Sequence, residues 1–301
     1  SLADITLNSS ATFVAAVTAD NLTIAASKTA TVKDDVTIAS TIALSGSSTL
    51  AVNNAAAVTI AGTITDTGTG NTISVNDSTA SAAPDEANFT GTVAADSLTV
   101  GTSTNAGKAK FSGSGHATIT SVTITGGNHA NEDSTATFDY ALTATDITLD
   151  DNIGSAKIIF AEDNSVTIAG TIDGGSAGEG TLQVTGTLKT FSSAIGTTRI
   201  DALDVDTAVS FSSSVATTTA TIDGVINTAA SLNVSTTSTI AANVTTTGTQ
   251  TYTGAVSLSA DTTLTTTNSN ISFGSTINSS NTTYRDLSMA TGSGNISVTG
   301  I

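Results

Sequence analysis

The chain has no cysteine and no tryptophan, one proline, one methionine, two histidines, and eight lysines and arginines together. Without cysteine there are no disulfides, no thiolate metal ligands and no sulfur nucleophile. That fits either a reducing cytosol or a bacterial exterior that avoids thiols. Eight bases stand against 25 acids, a net charge of −17. This balance excludes a general affinity for nucleic-acid phosphates or anionic membrane surfaces, which need clustered Lys and Arg. Aromatic residues make up only 4%, so a large globular core gives way to a thin one built from β-branched aliphatics. No apolar run approaches the ~20 residues of a membrane-spanning helix. The start, SLADITLNSS, has neither an initiator Met nor a signal-peptide form, and the end, NISVTGI, stops within a strand pattern. The expectation is a mature or excised piece of a longer chain.

What fills the sequence is Thr, Ser, Ala, Gly and Asn, interleaved with Val, Ile and Leu. The 38% hydrophobic content rules out disorder. Apolar residues alternate with polar ones at period two, as in Val36-Thr-Ile38, Val122-Thr-Ile124, Leu203-Asp-Val205 and Ile296-Ser-Val298. Each such stretch reads as a short strand with one apolar face, and helical periodicity is missing. VTIAGTI occurs twice, at Val58–Ile64 and Val166–Ile172. FVAAVTADNLTI at Phe13–Ile24 is echoed by FTGTVAADSLTV at Phe89–Val100. Phe191, Phe211, Leu232, Tyr252 and Phe273 fall 20, 21, 20 and 21 residues apart, and each aromatic has a β-branched residue four positions on.

A unit of 20–21 residues with two or three short strands cannot bury its apolar side alone, so such units stack. The expected fold is all-β: one right-handed parallel β-solenoid over residues 1–301, with about 14 coils at ~4.8 Å spacing. The alternative, two or three β-sandwich domains, predicts no 20-residue period. Loop excursions are expected at 78–88, around the single proline, and at 126–136.

From Val166 onward the chain resembles the repeats of very large bacterial surface proteins, the filamentous-haemagglutinin-like and autotransporter-passenger adhesins. The strings Gly248-Thr-Gln-Thr-Tyr-Thr-Gly-Ala-Val256 and Asp261-Thr-Thr-Leu264 carry that resemblance. It implies secretion, an extracellular location at the bacterial cell surface, and a role in adhesion, biofilm or surface structure. It transfers no site residues, because the matching positions are core and turn residues.

Candidate chemistry is thin. His116 lies in a Gly/Ser turn and His129 in a polar loop, Arg199 and Arg285 stand apart, and no Gly-x-Ser-x-Gly appears. The expectation is a non-enzyme with no catalytic, cofactor or metal residues. Oxygen ligands for calcium exist at Asp201/Asp204/Asp206, at Asp150-Asp151-Asn152 and at Glu162-Asp163-Asn164. GGSAGEG at Gly174–Gly180 is nevertheless a poor match to the nonapeptide calcium repeat, so only adventitious calcium is expected. Lys108 and Lys110 read as solvated strand residues. Thr-x-Thr units do not recur at one fixed phase in every coil, which leaves ice binding an outsider. The functional expectation is an extracellular structural or adhesive rod, filament or lattice component. A surface-layer protein is the alternative, followed by a carbohydrate-active β-helix enzyme. The partners expected are further copies or the rest of a longer chain end to end, together with surface glycans or other cells. Neither nucleic acid nor membrane insertion is expected.

Overall fold

The computed structural model describes residues 2–54, 56–77, 84–113, 115–161, 166–187, 189–280 and 283–299. Their regular elements are 32 strands and no helix. Among the described residues successive coils pair through parallel strands, and the chain is a β-solenoid of about 12 turns rather than 14. It divides into two compact units, Ser1–Phe160 and Ala161–Ile301.

In the first unit, successive coils pair along three faces. One face aligns Val17, Val36, Ile60, Phe89, Phe111, Phe138 and Phe160 as an inward column. Ring centroids along its phenylalanines lie 5.0, 4.6 and 5.8 Å apart, with planes within 22° of parallel. These separations follow from the ~4.8 Å strand spacing, which sets identical rings one above another at stacking distance. Two residues before each of Phe89, Phe111 and Phe138 stands an inward alanine (Ala87, Ala109, Ala136), which leaves room for the ring. A second face aligns Ile5, Leu22, Ile42, Ile64, Val93, Ala117 and Leu142. The third carries Leu50, Ile73, Leu98, Val122 and Ile147 beside Val52, Val75, Val100, Ile124 and Leu149.

The repeated strings find their meaning at the corners. In VTIAGTI, the third residue packs on one face and the last on the next. Ile60 lies beside Phe89 and Ile168 beside Phe191, while Ile64 lies beside Val93 and Ile172 beside Ile195. Between them Gly62 and Gly170 turn the chain at φ 129° and 110°, a region that β-carbon-bearing residues avoid. An aromatic followed four residues later by Val or Ile marks the same corner in Phe89/Val93, Phe191/Ile195 and Phe211/Val215, all buried. Buried Tyr252 and Val256 instead pair with Val234 and Ser238, and so span the following corner.

Register departs from the sequence reading. The two opening strings do not occupy equivalent places: Phe13 lies beside Val32, in the Val52/Val75 column, whereas Phe89 lies between Ile60 and Phe111. The 20–21-residue ladder also breaks in the second unit. Phe191 stacks on Phe211 and Tyr252 on Phe273, each at 5.3 Å. Leu232, however, pairs with Val215 and Gln250, and Tyr252 with Val234. The cause is a change of coil length. A register shift between Ile195 and Ile200 shortens the step from 20 residues (Ile195 to Val215) to 17 (Ile200 to Thr217). It returns to 21 only at Gln250 to Ile271. In the first unit the step ranges from 17 (Leu2 to Ala19) to 29 (Val58 to Ala87), which is why fewer coils fill the chain.

The excursion expected at 78–88 lies partly outside the described residues, and its last three positions already belong to the strand Glu86–Phe89. The second runs from 126 to 133, with Ser134–Phe138 forming the next strand.

Candidate functional site

The third face of the first unit presents two outward columns. One is Thr29, Thr49, Thr72, Ser97, Ser121 and Asp146, and the other Thr31, Ala51, Ser74, Thr99, Thr123 and Thr148. All twelve side chains are half-buried between their neighbours. They are outward because their strands alternate with the inward Leu50 and Val52 columns. Thr-x-Thr itself occurs here only at Thr29/Thr31, as the sequence reading has it, but Ser or Thr in one or both positions recurs in phase through the six coils. Turns of unequal length hide the phase, and pairing restores it. Within the array, the Ser121 hydroxyl donates to Asp146 Oδ2 at 2.6 Å, and Asn76 Nδ2 donates to Ser74 Oγ at 3.1 Å. The result is a hydroxyl- and methyl-bearing surface with one carboxylate.

On the adjoining face, a cleft of about 110 Å³ is lined by Thr118, Ile119, Thr120, Thr143, Ala144 and Thr145. His116 Nε2 lies 3.1 Å from Thr143 Oγ1 at its rim. His129 occupies the separate loop at 126–133, where its carbonyl accepts the Glu132 N–H.

The other sequence candidates serve the scaffold. Lys108 pairs with Glu86 at 3.5 Å and Lys110 with Asp139 at 3.1 Å on the outer side of the phenylalanine face. Asp204 is outward opposite Leu203 and Val205, and Asp206 accepts Gln183 Nε2 at 2.8 Å. Asp151 Oδ1 accepts the Ala156 N–H, and Asn152 Nδ2 reaches the Ser103 carbonyl at 2.9 Å. In the Gly174–Gly180 turn, Glu179 Oε2 accepts the Ser176 N–H. Glu162, Asp163 and Asn164 lie outside the described residues. Among the described residues, no group of three or more His, Asp or Glu is placed to hold a metal ion. Arg199 spans coils, its Nη1 donating to the Thr217 carbonyl at 2.8 Å and the Asn233 carbonyl at 3.2 Å.

Sequence reasoning missed the polar residues that point inward. Gln250 is fully buried: Nε2 donates to the Thr265 carbonyl at 2.9 Å, and Oε1 accepts the Tyr252 hydroxyl at 3.1 Å. Thr246 and Thr291 staple corners by donating to the Gly248 and Gly294 carbonyls. Glu132 is buried where loops 101–107, 126–133 and 150–155 stack, its Oε2 accepting the Asn128 N–H at 2.9 Å. At that stack the Gly154 N–H donates to the Gly127 carbonyl, and a β-carbon on Gly126 would collide with the Gly154 carbonyl. Lys189 is buried between Val166 and Val209, with Nζ donating to the Thr187 carbonyl at 2.8 Å. The two buried tyrosines are held protonated well above the ordinary range. Burial is the main cause for both, and the Asp139 charge adds to it at Tyr140.

No protein-family model, curated protein or solved structure matches the chain.

Proposed function

We propose that this chain is a structural and adhesive scaffold of a bacterial cell exterior. Inward residues build a stack of coils, and outward hydroxyl columns meet a partner surface. The observation that carries this reading is the third face of the first unit. It keeps Ser or Thr at ten of twelve outward positions through six successive coils. Each hydroxyl can both donate and accept, and each Thr methyl adds apolar contact, so the face suits a neutral, hydroxyl-rich partner such as a polysaccharide. The missing cysteine and the acidic balance fit an exterior location, as does the resemblance to surface-protein repeats.

Beads coated with the chain are expected to stick to insoluble polysaccharide or to bacterial cells. The triple change Thr31→Glu, Ser74→Glu and Thr123→Glu, which sets the new charges two coils apart along the column, is expected to release them while the circular dichroism spectrum stays that of the folded chain. Retention no better than that of an inert acidic protein would refute adhesion. Release of reducing sugar ends with turnover would point instead to a carbohydrate-active enzyme. A second reading has the same in-register columns in its favour: a lattice-like partner, ice being the simplest. Inhibition of ice recrystallisation that the triple change abolishes would favour it.

A further inference from the structure

Beside the hydroxyl array of the first unit, the residues just before Ser121 and Asp146 form the cleft of about 110 Å³. Two stretches in register line it, Thr118-Ile119-Thr120 on one coil and Thr143-Ala144-Thr145 on the next. All four threonines are exposed, Ile119 is fully buried and Ala144 is half-buried. The cleft therefore carries hydroxyls around its mouth and alkyl side chains below them. Ala144 stands at the register position of Ile119 one coil on, and its methyl leaves room that a second isoleucine would fill. His116 Nε2, 3.1 Å from Thr143 Oγ1, adds a ring nitrogen at the rim.

We propose that this cleft binds the acetamido group of an N-acetylated sugar. The proposal rests on the polysaccharide reading above and names the sugar. Size narrows the choice first. A water takes up ~30 Å³ of the liquid, so the cleft has room for about three or four atoms of that size. A pyranose ring exceeds that room, whereas the nitrogen, carbonyl and methyl of an acetamido group match it. Chemistry then selects among small substituents. A hydroxymethyl group would leave the alkyl floor unused. A carboxylate or sulfate would meet Asp96, beside Thr120, and Asp146, next to Thr145, on a chain of net charge −17. The acetamido methyl instead lies against Ile119 and Ala144. Its carbonyl accepts from one threonine hydroxyl and its N–H donates to another, since each hydroxyl can do both. The rest of the sugar then reaches the adjoining Ser and Thr columns, which begin at the next residue of each strand.

The test is saturation-transfer NMR on the full chain with N,N′-diacetylchitobiose. Cellobiose, the same disaccharide with hydroxyls in place of the acetamido groups, is the comparison. Transfer is expected to be strongest at the acetamido methyl, and cellobiose to bind roughly tenfold more weakly or worse, the worth of two neutral hydrogen bonds. Ala144→Leu fills the cleft and should abolish the transfer. Thr118→Val combined with Thr143→Val keeps the shape but removes hydroxyls, and should weaken binding by a similar factor. Both of those threonines are exposed, so this variant is expected to fold by circular dichroism even where the filled one does not. Equal binding of the two disaccharides, binding of neither, or unchanged transfer in the double valine variant would overturn the proposal. Beads that stick to other polysaccharides while diacetylchitobiose shows no transfer would sink this site and leave the adhesive reading standing. Methyl transfer without bead retention would do the reverse.

Discussion

Replacing Phe111 by alanine tests the stacking of the first unit most directly. The ring is fully buried, sandwiched by Phe89 at 5.0 Å and Phe138 at 4.6 Å, with Tyr140 edge-on at 6.5 Å. Truncating a buried phenylalanine costs ~3–5 kcal/mol. The upper half of that range applies here, because parallel strands fixed above and below cannot close over the void, and two ring–ring contacts vanish at once. With a urea slope of about 2 kcal/mol/M, the midpoint should fall by roughly 2 M. Tyr140 makes the assay local. The chain has three tyrosines and no tryptophan, so a Tyr252→Phe/Tyr284→Phe background leaves Tyr140 as the only fluorescent reporter, one ring away from the cavity. Phe13→Ala is the control: Phe13 is half-buried and flanked by Val32 rather than by rings, and should cost less than half as much. A Phe111→Ala loss below about 1 kcal/mol, or one equal to that of Phe13→Ala, would refute the ring column and the register built on it.

Further tests address other parts of the fold. Gln250→Leu should cost ~1–3 kcal/mol by leaving the Thr265 carbonyl and the Tyr252 hydroxyl without their partner. Adding Tyr252→Phe should recover part of that loss, and strict additivity in a double-mutant cycle would count against the network. Trypsin should spare native Lys108, Lys110, Lys157 and Lys189, which all lie in strands, and Arg199, whose guanidinium is bound to carbonyls. First cleavage is expected at the exposed Lys33, and mass spectrometry of early fragments would reveal the opposite. Alkali should destabilise the protein. Unfolded tyrosines lose their proton near the ordinary value of 10.0, while buried Tyr140 and Tyr252 keep theirs. The unfolded chain then binds fewer protons, so stability is level below about pH 10 and falls above it. Urea midpoints from about pH 8 to 11.5 should show that decline, flattened in Tyr140→Phe/Tyr252→Phe.

The strands and corners are legible in the sequence because burial constrains them strongly. An inward column accepts only apolar side chains at period two, and a corner such as Ile60-Ala-Gly-Thr-Ile64 needs an apolar residue on each side of a glycine turn. Register is not legible, because the three faces accept the same letters. Phe13 and Phe89 open nearly identical strings yet enter different columns, and turns of unequal length, set by Ser, Thr and Gly, decide which. Lys189, Glu132 and Gln250 escape for another reason. Backbone groups brought to them by turns and neighbouring coils are among their partners, so no motif in the chain announces them. The same degeneracy bears on the proposed function. Solvent places little demand on an outward residue beyond β-propensity, so outward letters drift between coils, as in the Glu86, Lys108, Thr135 and Lys157 column. On the third face of the first unit, by contrast, Ser or Thr holds ten of twelve outward positions, Ala51 and Asp146 being the exceptions. That regularity is the observation on which the proposed adhesive face rests.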